Sequence, residues 1–368
     1  MTARPRLVVV GGGILGTMHA VEGVARGYDV VHVDRDREPR GASVRNFGLI
    51  WVSGRAPGAE LALALRSREL WEKVAAGAPG SGFRANGSLT IARSRPELEV
   101  LEEVAARPDA SERGFAVLGP DALRRLHPAV RGDVAGALWC ARDAVVEPRR
   151  VLGALRAGLA GSGSYTWLPG RTVVEVRAHA ARDDAGSWHG GDLVVCCVGA
   201  AQSGPFAHEL AAAPLRRVRL QMLETAPFAE PLDATLADGD SLRYYPAFAG
   251  PALERLAPQS EIAARWRAQL LCVRRADGAL TIGDTHADGD DATFDVDDEP
   301  YAHLLATASL LLGVALPPVE RRWAGVYSQV TDGRLYYRRE MAPGVVVVTG
   351  PGGRGMTLAP AIAEETFA

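Results

Sequence analysis

Apolar residues run unbroken through Leu7-Val-Val-Val10, stop at Gly11-Gly-Gly13, and resume at helical spacing from Ile14 to Arg26. An unbroken β-branched run predicts a parallel strand buried on both faces, and the spacing after it predicts a helix closed by Gly27. Tyr28-Asp-Val-Val-His-Val33 predicts a second strand, ending at Asp34. A similar alternation returns later, with Val145-Val-Glu-Pro148, a helix over 149–160 and a strand over Arg171-Thr-Val-Val-Glu-Val176. Asp192 to Ala200 predicts a strand ending in Gly199, and Val345–Val348 a strand feeding a glycine turn and a helix start. Between these lie different patterns. Gln221–Thr225, Leu242–Tyr245 and Ala279–Ile282 read as antiparallel strands, Glu60–Ala76 and Tyr301–Leu312 as amphipathic helices. The fold class is α/β, with a second part built on an antiparallel sheet.

Composition narrows the classes. The chain has 368 residues with 47% hydrophobic and 23% charged positions, ordinary values for about two globular domains. A net charge of −3 gives no basic surplus for nucleic acid or an anionic membrane. Apolar segments stop short of the roughly 20 residues of a membrane span. The basic start before Leu7 mimics a signal peptide, but the apolar stretch breaks at Gly11, so a cytoplasmic protein is expected. Cys140, Cys196, Cys197 and Cys272 have no CxxC spacing and read as reduced core thiols. No histidine or acidic group has metal-ligand spacing. The acidic stretch Asp284–Glu299 lacks the order of a calcium loop and reads as a solvated loop. Lys73 is the sole lysine, so an arginine carries no weight merely for being arginine.

Gly11, Gly13 and Gly16 satisfy GxGxxG, and Asp34 follows Gly16 by 18 residues. Gly11 permits the tight turn, Gly13 lets backbone approach a pyrophosphate, and Gly16 lets helix pack on strand. The helix start at Ile14 and Leu15 offers N–H groups to phosphate, and Asp34 accepts from a ribose diol. Strand, glycines, helix, strand and acid in register predict a bound dinucleotide. The fingerprint alone does not separate FAD from NAD, so an NAD-dependent dehydrogenase stays open at this point.

The order of motifs, with Gly41-Ala-Ser-Val-Arg-Asn-Phe-Gly48 early and Val345-Val-Val-Val-Thr-Gly-Pro-Gly-Gly-Arg-Gly-Met-Thr357 late, resembles the D-amino-acid oxidase superfamily of flavoenzymes. The resembling branch is that of glycine and sarcosine oxidases, over nearly the whole chain. Ala42-Ser-Val-Arg-Asn-Phe-Gly48 followed by Leu-Ile-Trp51, with Leu65-Arg-Ser-Arg-Glu-Leu-Trp71, is similar to a subfamily associated with aminophosphonate breakdown. The resemblance implies a discontinuous Rossmann-type FAD-binding domain over 1–55, 145–215 and 320–368, and an α+β substrate domain over 56–144 and 216–319. It implies noncovalent FAD held by the fingerprint, by Arg35 near the adenine, and by Ala42 and Ser43 along the pyrophosphate or ribityl chain. Arg45 and Asn46 take either a flavin-loop or a substrate role. Val173 would meet the adenine, Gly199 would lie under the crossover, and Gly350, Gly353, Gly355, Met356 and Thr357 would direct N–H groups at the flavin.

On the substrate side the chain departs from that pattern. Trp323–Gly333 matches the loop that in glycine oxidase supplies a carboxylate-clamping arginine, but the matching residue is Tyr327. No cysteine follows Cys272 to bind flavin covalently. Arg354, Arg45, Arg322 and Arg334 are candidate replacements, with Arg354 first and Tyr244, Tyr245 and Gln329 as neutral donors. If Leu242–Tyr245 is a strand, Tyr244 and Tyr245 point to opposite faces and at most one meets the ligand. A tetrahedral phosphonate suits several donors better than one bidentate fork. The expected reaction is hydride transfer from a small anionic amine to flavin, then imine hydrolysis, with O2 as acceptor and no acid–base dyad required. 2-Aminoethylphosphonate or an N-methylated relative is the expected substrate. The alternatives are a glycine, sarcosine or D-amino acid oxidase, and a noncatalytic flavoprotein. His286 stands near this cleft as a weaker candidate, and His19 reads as packing.

Overall fold

The computed structural model describes residues 4–201, 203–289 and 295–368. Arg6–Val10 is the predicted first strand, with Leu7, Val8 and Val9 fully buried because sheet neighbours and layers cover both faces. It pairs in parallel with Asp29–Asp34 on one side and Leu193–Cys196 on the other. Tyr165–Pro169, Val345–Thr349 and the antiparallel edge strand Tyr337–Ala342 complete a six-stranded sheet. One face carries the helices Ile14–Ala25, Ala59–Ala76 and Gly355–Thr366. The other is covered by a three-stranded sheet of Val173–Arg177, Ala180–Asp183 and Trp188–Gly190. The strand expected at Arg171–Val176 thus belongs to this cover and not to the main sheet.

A nine-stranded sheet forms the second half. It holds the expected strands at Leu215–Pro227 and Ala279–Gly283, and the helix Asp298–Leu312 packs on it. Two expectations are corrected. Trp323–Gly333 is expected as a loop, but its residues up to Val330 belong to the strand Val319–Val330 of this larger sheet. The strand pairs antiparallel with Leu215–Pro227 from Leu215 opposite Val330 to Thr225 opposite Val319. Leu242–Tyr245 is no strand, because Ser241–Tyr244 forms a short helix. Asp238 Oδ1 accepts from both Ser241 N and Ser241 Oγ at 3.1 Å, and this side-chain cap favours a turn over extension. Within the acidic stretch, Asp284 is buried instead of solvated, and Asp290 and Asp291 lie outside the described residues.

The crossover from Leu49–Ile50 to the helix Ala59–Ala76 is pinned at residues 51–55. The buried Asp143 carboxylate accepts from Val52 N at 2.5 Å, Ser53 N at 3.0 Å and Ser88 Oγ at 2.6 Å. Arg113 Nη1 donates to Val52 O at 3.0 Å and Ser53 O at 3.1 Å. Burial pushes the Asp143 carboxyl up, and these donors oppose that shift. Asp143→Ala strands two buried N–H groups, so a loss of about 2–4 kcal/mol is expected in equilibrium denaturation. A loss below about 1 kcal/mol would show that water replaces the carboxylate.

Candidate active site

The glycine turn after the first strand is built by close approach. A Cβ on Gly16 would lie 1.8 Å from Gly11 O, and one on Gly11, at φ +110°, would lie 2.2 Å from Cys197 O. A Cβ on Gly13 would meet only Ser43 Oγ, at 3.1 Å. Ser43 Oγ accepts from Ile14 N at 2.9 Å and so reaches the helix N-terminus. Asp34 closes the turn: its carboxylate accepts from Gly12 N and, at 2.6 Å, from Asp36 N. His32 is buried beneath, with Nε2 on Gly11 O at 2.9 Å, and burial lowers its pKa to about 3. It therefore stays neutral and donates to that carbonyl, which fixes the turn from below.

The glycine turn, Asp34 and Ser43 border a cavity of about 1140 Å³ that the larger sheet also lines. Every residue expected to hold the dinucleotide borders it except Thr357. Thr357 is buried behind the wall, where its hydroxyl accepts from Trp51 N at 2.9 Å and donates to Leu49 O at 3.3 Å. Asn46 spends both ends of its amide on its own loop, Nδ2 on Ala42 O and Oδ1 on Gly48 N. Arg45 borders the cavity but donates to Ala324 O at 3.0 Å. Both thus shape the loop that carries Ser43. Sequence reading missed Arg156 and Trp167, which also border the cavity. The Arg156 guanidinium stacks 4.5 Å over the Trp167 ring and donates to Gly12 O at 3.3 Å, beside the glycine turn. No periodicity marks Arg156 among the 41 basic residues of the chain.

The remaining wall carries the polar side chains. Tyr244, Tyr245, Tyr327, Gln329 and Arg354 border the cavity as expected. Because Tyr244 ends a helical turn, both it and Tyr245 reach the cavity, with rings 5.0 Å apart and edge to face. This corrects the strand alternation. The Tyr327 and Tyr244 hydroxyls act on each other, and desolvation pushes both phenols up. The two hydroxyls stand near the Gly353 turn, with Tyr327 3.7 Å and Tyr244 3.8 Å from a Cβ placed there. Arg322 is off the cavity, exposed and 5.5 Å over the Tyr301 ring, and Arg334 is exposed and paired to Asp332.

Arg354 is not alone. Its Nε donates to Glu60 Oε1 at 2.7 Å, and Arg55 Nη1 approaches the same oxygen at 3.5 Å. Arg55 Nε donates to Trp51 O at 2.7 Å, and the residue borders the cavity. Arg55 and Glu60 are 5% and 6% exposed. Their spacing in sequence gave no signal, since only the crossover pinned by Asp143 brings them under Arg354. Trp51, also on the wall, has its indole Nε1 buried without a partner. All four cysteines are buried and free, and burial raises the Cys196 thiol to about 12. Among the described residues, no group of three or more His, Cys, Asp or Glu side chains is placed to hold a metal ion.

A close-approach glycine turn, a helix N-terminus, a terminal acid and a cavity of this size fit a dinucleotide cofactor. Residues 6–368 match the family described as FAD dependent oxidoreductase. The chain belongs to this family. Its cofactor is FAD. The fold is similar to that of glycine oxidase from Bacillus cereus ATCC 14579, at TM-score 0.79 and 19% identity, covering 98% of this chain and 93% of that one. It is also similar to iminodiacetate oxidase from Chelativorans sp. BNC1, at TM-score 0.75, 19% identity and the same coverages of 98% and 93%. Over 171 residues it is 29% identical to an opine oxidase component from Rhizobium meliloti, 43% of this chain and 46% of that protein. The match therefore spans about half the length of that relative. Among the described residues, no helix is long and apolar enough to cross a membrane.

In this family the turn's geometry is testable without turnover. Gly16→Ala must displace backbone, whereas Gly13→Ala meets only a movable hydroxyl. Purified Gly16→Ala protein is expected to carry less than about a tenth of the wild-type flavin absorbance, and Gly13→Ala most of it. Equal retention by both would mean that the close approach does not shape the FAD site.

Proposed function

We propose that this flavoenzyme oxidises a small amine that also carries an anion, with 2-aminoethylphosphonate or an N-methylated relative preferred over a plain α-amino acid. The observation that carries this reading is the charge at Glu60. Two guanidinium groups share one buried carboxylate, which leaves one positive charge without a permanent counterion at the cavity wall. A buried surplus charge is costly unless a ligand neutralises it. Burial already lowers the Arg55 pKa, and Glu60 opposes this.

The donors favour a tetrahedral anion. Arg354, Arg55 and the Tyr244–Tyr327 phenols approach from different elements, whereas a carboxylate prefers one bidentate fork. Tyr327 stands where the resembling glycine oxidases hold that fork. Bound FAD supplies the hydride acceptor for the carbon beside the amine nitrogen. The chain's residues do the rest: they anchor the anion, set that carbon against the cofactor and exclude water. The oxidised amine leaves as an imine that water hydrolyses to an aldehyde or oxo acid. O2 is the proposed electron acceptor, and FAD is held without a covalent bond.

A glycine- or sarcosine-type oxidase is the second reading, favoured by the fold shared with glycine oxidase and opposed by Tyr327. The deciding experiment is anaerobic bleaching of the flavin by 2-aminoethylphosphonate, its N-methyl form, glycine, sarcosine and D-alanine. Bleaching by the phosphonates alone is expected. Arg354→Ala should then raise the half-saturating phosphonate concentration at least about tenfold, or about 1.4 kcal/mol. Bleaching by glycine or sarcosine, with the phosphonates inert, would reject the phosphonate reading.

A further inference from the structure

Two buried titratable side chains on the cavity wall have no part in the anion site. Asp284 and His286 both border the cavity, and the His286 ring stacks on Tyr244 at 4.2 Å. Tyr244 lies between unlike charges: Arg55 and Arg354 act on its hydroxyl in one sense, Asp284 in the other, and His286 stacks on its ring.

The tautomer of His286 follows from its partner. Nδ1 lies 3.1 Å from Arg267 O, and a carbonyl only accepts, so Nδ1 carries the hydrogen. In the neutral ring the lone pair is then on Nε2. That atom faces Asp284 Oδ2 at 3.7 Å, a gap too long for a direct hydrogen bond. A lone pair and a carboxylate oxygen thus face each other across a space that a cationic donor fills. No arginine closes it. Arg267 is paired to Asp288 at 3.0 Å, and Arg216 holds the same Asp288 at 3.0 Å. Among side chains of the described residues, Asp284 receives the neutral amide of Gln269, at 3.3 Å on Oδ1. Burial pushes the Asp284 carboxyl up, and positive charge at His286 opposes this. A cation in the gap therefore favours the ionised carboxylate.

We propose that Asp284 and His286 form an ammonium subsite, in which Asp284 binds the substrate's ammonium and His286 Nε2 takes its proton. The proposal rests on the reading of an anionic amine as substrate. In the step an N–H bond of the ammonium breaks, its electron pair stays on nitrogen, and the proton bonds to Nε2. No electrons are exchanged. Asp284 then faces an imidazolium, and the amine is neutral, as loss of hydride from its neighbouring carbon demands. The cavity so becomes bipolar, with the anion anchored on Arg55 and Arg354 and the amine drawn to Asp284 and His286.

The test compares an amine with the same anion lacking it, on FAD-loaded enzyme. Binding of ethylphosphonate is read from perturbation of the flavin spectrum, and 2-aminoethylphosphonate from anaerobic flavin reduction across pH. Asp284→Asn is expected to raise the half-saturating amine concentration about tenfold or more, with the ethylphosphonate Kd unchanged within about twofold. Asp284→Glu, which keeps the charge, should recover part of that loss. His286→Gln is expected to slow the limiting reduction at neutral pH about a hundredfold, and the rate should recover as pH rises and the amine loses its proton in solution. Wild-type amine kinetics in both variants would overturn the subsite, as would parallel loss of ethylphosphonate binding. Should glycine bleach the wild type and the phosphonate not, the substrate reading fails by itself. The same comparison then runs with glycine against acetate, and the subsite stands or falls on the amine-specific loss. A wild-type enzyme bleached by no amine overturns both.

Discussion

Gly16 passes so near Gly11 that no side chain fits between them, and the cavity is organised around this contact. With a hydrogen in place of a methyl, the first helix seats directly on the strand end. That seating turns its first N–H groups toward Ser43 and the cavity, and it brings Asp34 over Gly12. His32, buried and neutral, holds the Gly11 carbonyl from beneath. The same cavity extends to Gly353, where the phenols of Tyr244 and Tyr327 stand.

The chemistry at that end is set by unequal pairing of charge. Glu60 serves two arginines, while Arg216 and Arg267 serve one Asp288. Asp284 is left with a neutral amide and an imidazole. Glu60 and Asp284 are buried, where Coulomb interactions are strong and unpaired charge is costly. The guanidinium surplus at Glu60 and the carboxylate of Asp284 suit the two ends of the zwitterion proposed as substrate.

The dinucleotide half was legible because its signals are local. The run Leu7–Val10, the glycines and Asp34 lie within one βαβ unit, and each has a direct steric or hydrogen-bonding cause. The half built on the larger sheet was not, because its features are set by distant partners. Val319–Val330 extends as a strand only because Leu215–Pro227 offers it a matching edge. Tyr244 is turned into the cavity by the Asp238 cap, a side-chain bond that apolar alternation does not register. Arg55 and Glu60 meet Arg354 through a crossover fixed by Asp143, which lies far along the chain from all three. Thr357 sits in the right motif, yet its hydroxyl is consumed by backbone at Leu49 and Trp51.

The strand Val319–Val330 has a wider consequence. It is zipped to the larger sheet along its length, yet its last residues touch the other half: Val330 N donates to Gly350 O at 3.0 Å, and Gln329 bridges to Pro351. One rigid rod thus joins the sheet that shapes the substrate wall to the turn that carries Gly353 and Arg354. The halves cannot part at this point without breaking those contacts. For the engineer, the six-stranded half is not a removable module, because on its own it would lack the strut that meets its second glycine turn.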